Sequence, residues 1–312
     1  MWALIPGSYL RMPALFLSIP RIVVSGTLIA LNTVGHATPL LLLALIKFLV
    51  PIAGFRRLMS RILVRIAESW IAVNSWLMCT FGRTEIHVDG LENLQRNGWY
   101  LVICNHQSWV DIPVLQQVFN RRIPFLKFFL KSQLIWVPVL GLAWWALDFP
   151  FMKRYSREHL EKNPQLRGKD VEATRKACEK YRDLPVSVMN FVEGTRFTEA
   201  KHERQQSPYR HLLHPRAGGI AFVLDAMGDM LNAVVDVTLF YPAGRPGVLD
   251  LLAGRVRRVE VRVRAIPIPA ELLGGDYEND DVFRRHFQEW LNGLWSRKDE
   301  ILNRGRLENS SA

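Results

Sequence analysis

The amino-acid sequence predicts an α/β domain, a mixed central sheet flanked by helices, with a helical hairpin ahead of it. Residues 99–104 and 186–192 are rich in β-branched and aromatic side chains, and each run ends in a polar turn, which is typical of buried strands. In residues 257–269 valine alternates with charged residues, a pattern that indicates a half-exposed strand. Apolar residues at three- and four-residue steps in 283–302 predict an amphipathic helix packed on the domain.

The composition indicates a large core and an anionic partner. Hydrophobic residues form 49% of the 312 residues, which excludes a disordered chain. The formal charge of +11 suits phospholipid, phosphorylated metabolites or nucleic acid. Ten tryptophans and an apolar N-terminal third favour lipid, and since no nucleic-acid-binding module is recognisable, nucleic acid is not an expected partner. The three cysteines are widely spaced and form no C-x-x-C motif, so neither a disulfide framework nor a zinc knuckle is predicted.

Residues 19–52 contain two apolar runs separated by turn-forming and helix-breaking residues. The separating residues are Asn32, Thr33, Gly35, His36 and Pro39. Each arm is about 20 Å of helix, short of the roughly 30 Å hydrocarbon core, so the pattern predicts a re-entrant hairpin anchor. The alternatives are two true spans, one tilted span, or a cleaved signal peptide, although the second arm argues against cleavage.

Arginines flank this hairpin on both sides, so both of its ends are predicted to be cytoplasmic. Residues 55–81 have a helical pattern that places Arg57, Arg61 and Arg65 on one face, which suits either lipid phosphates or plain solvent. We therefore expect an N-terminal membrane-anchoring region over 1–82 and a second domain over 83–312.

The predicted strand 99–104 leads into Asn105, His106 and, five residues after the histidine, Asp111. Ser108 and Asp111 have the spacing of a capping box, so Asp111 could serve only to cap a helix. In the alternative interpretation Asp111 holds one imidazole nitrogen as a donor and leaves the other free to take a proton from a substrate hydroxyl. Cys104, within a strand, is expected to be buried and inert.

A second polar turn, Glu193-Gly194-Thr195-Arg196, ends the predicted strand 186–192. Gly194 allows a tight turn, and Arg196 offers a planar fork of donors for phosphate. The combination of N-H-x(4)-D at 105–111 with E-G-T-R at 193–196 resembles the glycerolipid acyltransferases, the 1-acylglycerol-3-phosphate (lysophosphatidic acid) acyltransferase family.

The resemblance extends over about residues 85–245. Residues 130–141, LKSQLIWVPVLG, are similar to a family segment with a lysine, a proline and a glycine, and residues 149–154, FPFMKR, to a strand that ends in a basic residue. The chain departs from the family in 234–242, VVDVTLFYP, which lacks an early proline.

The resemblance implies the family's fold and a role for each matching residue. His106 would be the general base and Asp111 its orienting partner. Arg154 and Arg196 would hold the acceptor phosphate, with Lys131 as a weaker candidate. The remaining motif residues would support them: Glu193 would fix the arginine and the turn, Gly194 and Thr195 would shape the phosphate site, and Asn105 would support the His106 loop.

The implied reaction moves a fatty acyl group from acyl-CoA or acyl carrier protein to the sn-2 hydroxyl of 1-acylglycerol 3-phosphate, giving phosphatidic acid. It needs no metal or other cofactor, because the thioester is already activated. The site would face the cytoplasm, at the inner membrane in a bacterium. The alternatives are another lysophospholipid acceptor, or a non-catalytic lipid-binding protein at the membrane surface. Residues 134–152 would either line an acyl groove or belong to the core.

Overall fold

A computed structural model describes residues 11–152, 178–179, 181–182 and 184–310. The helices in this part of the chain are α1 (Arg11–Leu49), α2 (Ala53–Thr80), α3 (Asp111–Phe119), α4 (Leu140–Ala146), α5 (Glu199–Gln205), α6 (Gly218–Met227), α7 (Val248–Leu252) and α8 (Asp281–Ser310). The strands are β1 (Glu85–Asp89), β2 (Tyr100–Cys104), β3 (Leu126–Phe128), β4 (Leu130–Lys131), β5 (Phe151–Met152), β6 (Ser187–Phe191), β7 (Ala233–Phe240) and β8 (Arg258–Ile266).

The central sheet is mixed, as predicted, and has the strand order β1-β8-β7-β2-β6-β3. Only the β7–β8 pair is antiparallel among the described strands of this sheet. Cys104, the last residue of β2, is in register with Phe191 of β6 and Val237 of β7. Because the carboxyl ends of these three parallel strands meet at one edge, the residues that follow them lie close together.

Helices cover both faces of the sheet, and the alternation of β2 explains why both are buried. Tyr100, Val102 and Cys104 belong to the hydrophobic cluster that includes residues of α2 and α3. Leu101 and Ile103 belong to the cluster on the opposite face, which includes residues of α6 and α8. The predicted C-terminal amphipathic helix is confirmed as α8, which packs on the domain.

The N-terminal region is a helical hairpin, but its turn is not where the sequence predicted it. Helix α1 runs unbroken through residues 32–39, and the chain reverses at 50–52, before α2. The prediction of two short arms within 19–52 is therefore wrong. Helices Ser18–Leu49 and Ala53–Thr80 are each long and apolar enough to cross a membrane, judged by length and composition.

Three of the residues interpreted as turn formers, Asn32, Thr33 and His36, make hydrogen bonds that fit a continuous helix. Thr33 Oγ1 donates to the Ile29 carbonyl one turn earlier, at 2.8 Å, which is compatible with a continuous helix. Asn32 Nδ2 donates to Asn74 Oδ1 of α2 at 2.8 Å. His36 Nε2 lies 3.2 Å from Ser69 Oγ of α2. The partners of Asn32 and His36 lie on the neighbouring helix and that of Thr33 lies one turn earlier, so these polar groups have no need of a turn.

Candidate active site

His106, in the loop between β2 and α3, and Asp111, the first residue of α3, form a buried pair. The imidazole Nδ1 lies 2.8 Å from Asp111 Oδ2. A carboxylate at this distance favours the tautomer that carries its proton on Nδ1, which leaves Nε2 as a proton acceptor. The geometry is that of a serine hydrolase triad without the serine.

The Asp111 carboxylate orients the imidazole and also shapes the loop. Its Oδ2 accepts the backbone N–H groups of Gln107 and Ser108 at 2.6 and 2.9 Å. Its Oδ1 accepts the Tyr241 hydroxyl at 2.7 Å. The bond to Ser108 is one half of the predicted capping box, so Asp111 contributes to the helix cap and also contacts the imidazole.

The histidine ring is fixed from a third direction by β6. The rings of His106 and Phe191 stack with centroids 3.8 Å apart and an interplanar angle of 12°. The His106 carbonyl accepts the backbone N–H of Phe197 at 2.8 Å, which ties this loop to the chain just after the E-G-T-R motif. The plane of the imidazole and the conformation of the loop that carries it are therefore fixed before substrate binds.

Glu193 is fully buried and bonds the backbone rather than an arginine. Its two oxygens accept the backbone N–H groups of His106 and Leu213 at 3.0 and 3.1 Å. Burial raises the pKa of Glu193 from 4.5 to about 8, although these two bonds oppose the shift. The expectation that Glu193 fixes Arg196 is wrong, because Glu193 points inward and Gly194, at φ 69°, turns the chain after it.

Asn105 joins the histidine loop to β7. Its Nδ2 donates to the Leu239 carbonyl and its Oδ1 accepts the Leu239 N–H, both at 2.9 Å. This pairing fits the predicted supporting role. Cys104, directly before it, is buried, and burial raises the pKa of its thiol well above the usual value. That environment suits an inert thiol, as predicted.

Arg196 lies at the open side of this group of residues. Its guanidinium carbon is 4.4 Å from the ring centroid of Trp109, an exposed residue between His106 and Asp111 in sequence. Thr195 Oγ1 accepts Lys201 Nζ at 2.7 Å, and the same ammonium donates to the Arg196 carbonyl at 2.9 Å. Among the described residues no carboxylate pairs with the Arg196 guanidinium, whose planar fork of donors suits an anion.

Of the other two predicted phosphate ligands, the structure describes Lys131 only. Arg154 lies outside the described residues. Lys131 is the exposed last residue of β4, in a separate two-stranded sheet where it pairs with Met152 of β5. Within the described ranges, no hydrogen bond or ion pair joins Lys131 to Arg196 or to His106.

Sequence reasoning missed Tyr241, Phe191 and Arg245. Arg245 Nε donates to Gln107 Oε1 at 2.6 Å, and its guanidinium carbon lies 3.7 Å from the Phe197 ring centroid. These residues come from segments distant in sequence, and no local motif marks them. The only available signal was position, since Tyr241 and Phe191 lie at the carboxyl ends of buried strands.

Comparison with known proteins decides the family. A family model described as "Acyltransferase" matches residues 85–241, half of the chain, and includes both motifs. The chain belongs to this acyltransferase family. The resemblance noted in the sequence is thereby confirmed.

Two curated relatives illustrate how far this acyltransferase-family chain is similar to known proteins. Human 1-acyl-sn-glycerol-3-phosphate acyltransferase delta is 27% identical over 213 residues, covering 64% of this chain and 51% of the relative. The mouse gamma protein is 25% identical over 266 residues, covering 79% and 64%. The chain thus spans about half to two thirds of the length of these relatives.

A solved structure supports the fold. The crystal structure of the 1-acyl-sn-glycerophosphate (LPA) acyltransferase PlsC from Thermotoga maritima matches with a TM-score of 0.58 at 16% identity. The match covers 93% of this chain and 98% of that one. At this identity the likeness shows a shared fold, and it includes nearly the whole length of both proteins.

Proposed function

We propose that this acyltransferase-family chain moves a fatty acyl group from an acyl thioester to the sn-2 hydroxyl of 1-acylglycerol 3-phosphate, giving phosphatidic acid. The observation that carries the proposal is the His106–Asp111 pair, with Nδ1 2.8 Å from the carboxylate and Nε2 left as an acceptor. The acceptor is taken from the names of the relatives, which are 1-acylglycerol-phosphate acyltransferases.

In the proposed mechanism the substrate alcohol takes the place of a catalytic serine. His106 Nε2 accepts the hydroxyl proton as the oxygen attacks the thioester carbonyl. Asp111 stabilises the imidazolium that forms. The tetrahedral intermediate collapses with cleavage of the carbon–sulfur bond, and the imidazolium returns its proton to the departing thiolate. No covalent acyl-enzyme is formed.

The acceptor is held by its phosphate. Arg196 supplies a guanidinium without a carboxylate partner in the described parts of the chain, while Arg154 and Lys131 are further proposed ligands. Gly194 and Thr195 shape the turn that carries Arg196. The donor is acyl-CoA or acyl carrier protein, both of which are anionic and suit a chain of formal charge +11. No metal or other cofactor enters this mechanism.

We further propose that α1 and α2 attach the chain to a membrane, with the site on the cytoplasmic side, at the inner membrane in a bacterium. Exposed apolar residues occur along α1, including Val23, Leu31, Leu42 and Phe48. The exposed arginines Arg57, Arg61 and Arg65 lie on one face of α2. Buried in a bilayer, the apolar residues would no longer be in contact with water.

The test is an acyl-transfer assay on membranes that carry wild-type chain, His106→Ala, or the control His87→Ala, an exposed histidine on the edge strand β1. We expect His106→Ala to lower kcat by about 10²–10⁴, the usual contribution of a general base, and His87→Ala to leave it unchanged. Acceptors are 1-acylglycerol 3-phosphate, a lysophospholipid with a larger head group, and glycerol 3-phosphate, each with acyl-CoA and acyl carrier protein.

Three outcomes would contradict the proposal. Full activity of His106→Ala would show that His106 is not the general base. Preference for another acceptor would keep the acyl transfer but change the substrate. Binding of lipid without any transfer would make the chain a lipid-binding protein at the membrane surface.

A further inference from the structure

Four apolar side chains at three-residue intervals are exposed between β4 and β5. They are Trp136, Val139, Leu142 and Trp145, which we call the tryptophan edge. Trp136 is 85% exposed, and Leu142 and Trp145 are 54% and 52% exposed. The edge is carried by the 3₁₀ helix Ser132–Trp136 and by α4. The alternative that 134–152 belong to the core is wrong for these four residues.

This segment has large apolar residues on its outer side, the reverse of the arrangement on an ordinary amphipathic helix. The buried residues of α4 are small, Gly141, Ala143 and Ala146, whereas the large residues Trp136, Leu142 and Trp145 are exposed. Of the remaining large residues, Trp144 packs partly against the core and Leu147 is buried. A helix on a water-exposed surface has its large apolar residues on the inner side. In addition, residues 132–147 contain no Asp, Glu, Lys or Arg, whereas about 25–35% of a soluble surface is charged. The medium that this surface fits is therefore apolar.

The tryptophan edge is continuous with the carboxyl end of α1. The ring centroids of Trp145 and Phe48 are 6.4 Å apart. Lys47 Nζ lies 3.0 Å from Asp148 Oδ2, which fastens α1 to the end of this segment. Phe48 and Leu49 are themselves exposed. The two regions thus form a single apolar surface.

The dimensions and flanking charges indicate which apolar medium this is. Helix α4 has seven residues, about 10 Å, so it cannot cross a hydrocarbon core of roughly 30 Å. Tryptophan is enriched at the boundary between lipid and water. Exposed cations flank this surface in sequence. Lys131 precedes the tryptophan edge, and Arg56 and Arg57 lie in the first turns of α2, just after α1. Such cations suit anionic head groups.

We propose that the tryptophan edge inserts into the interfacial layer of the bilayer leaflet that contacts the carboxyl end of α1. It is a lipid contact in addition to α1 and α2, and it rests on the proposed membrane attachment. Insertion would place Lys131 at the level of the lipid head groups.

The experiment uses the full chain in vesicles of phosphatidylcholine and phosphatidylglycerol, without substrate. Cys79, the exposed cysteine, is replaced by serine, and Cys104 and Cys178 are buried. Single cysteines are then introduced as Trp136→Cys or Leu142→Cys and labelled with a polarity-sensitive fluorophore. The readouts are the emission maximum and quenching by lipids that carry a nitroxide on the acyl chain.

Two matched controls define the scale. Leu31→Cys, at a 63% exposed position of α1, reports membrane attachment, and Val282→Cys, at a 66% exposed position of α8, reports an aqueous surface. We expect labels at 136, 142 and 31 to show a blue shift and loss of intensity with nitroxide lipids. The label at 282 should show neither change, because Asp281 and Arg285 flank its position.

The remaining outcomes overturn the proposal in distinguishable ways. Quenching at 31 with none at 136 and 142 would leave the membrane attachment standing and place the tryptophan edge outside the lipid. A blue shift at 136 without nitroxide quenching would indicate a protein contact, such as a second copy of the chain. Absence of quenching at 31 would contradict both the proposed membrane attachment and the proposed insertion of the tryptophan edge. Acyl transfer is measured separately, so a chain without that activity could still confirm the edge.

Discussion

The hydrogen bond from Tyr241 to Asp111 allows a sharp test of how the histidine is oriented. Tyr241 is buried and follows β7, and its hydroxyl donates to Asp111 Oδ1 at 2.7 Å. Replacement by phenylalanine removes the hydroxyl and keeps the ring. Oδ2 retains its bonds from His106, Gln107 and Ser108. Oδ1 then has no donor among the described residues.

The expected loss of stability follows from the negative charge of the carboxylate that accepts this hydrogen bond. A hydrogen bond to a charged group contributes about 1.5–3 kcal/mol, so we expect Tyr241→Phe to lower the free energy of unfolding by about that amount. With one oxygen released, the carboxylate can rotate, and the imidazole it orients is less often in a productive position. We expect kcat to fall about tenfold, equivalent to about 1.4 kcal/mol, with KM for the acceptor unchanged.

Tyr100→Phe is the matched control. Tyr100 is also buried, and its hydroxyl accepts the Gln95 backbone N–H at 2.9 Å, with no link to Asp111. Its loss should cost about 0.5–1.5 kcal/mol of stability and leave kcat unchanged. Stability is measured by urea unfolding and activity by the acyl-transfer assay. If both variants had the wild-type kcat, Tyr241 would be a structural residue only and the orientation argument would be refuted.

Three further predictions concern the second motif. Gly194→Ala should lower the free energy of unfolding by about 1–2 kcal/mol in urea, because the φ of 69° is unfavourable for alanine, and an unchanged midpoint would contradict this. Trp109→Leu removes the ring 4.4 Å from the Arg196 guanidinium and should raise KM for a phosphorylated acceptor about two- to fivefold without changing kcat. For Glu193, with its pKa raised from 4.5 to about 8, the folded state keeps a proton that the unfolded state releases. Stability should therefore fall as pH rises from 4.5 to about 8, by up to about 1.4 kcal/mol per pH unit, and Glu193→Gln should lack this component in thermal unfolding curves.

The part of the site that depends on short stretches of sequence could be predicted. Runs of β-branched and aromatic residues identified β2 and β6, and polar motifs at their ends had to meet once the strands lay parallel. The spacing of His106 and Asp111 across a helix start allowed either a pair or a helix cap, and the family resemblance favoured the pair. The same logic applied to the mixed sheet and to α8, whose periodic pattern is long.

The features that depend on distant partners could not be predicted. Residues 32–39 look like a turn because a polar residue in an apolar helix has no local reason to be there. The reason is α2, where Asn74 accepts a hydrogen bond from Asn32 and Ser69 forms one with His36. Tyr241 reaches Asp111 across 130 residues of sequence, and Glu193 bonds a backbone that its motif does not contain. Tertiary contacts therefore decided these cases against local preference.

Asp111 and Glu193 both bond the His106 loop, but their environments give them opposite electrostatic roles. The Asp111 carboxylate accepts hydrogen bonds from the Tyr241 hydroxyl and two backbone N–H groups and pairs with the imidazole. Glu193 accepts two backbone N–H groups in a fully buried position, and burial raises its pKa to about 8, to which the charge of Asp111 adds a smaller part. Near neutral pH Glu193 is therefore mostly protonated, and one carboxylate charge rather than two acts on the imidazole. In the proposed mechanism, the charge of a substrate proton on Nε2 is then balanced by Asp111, while Glu193 holds the loop without adding a charge.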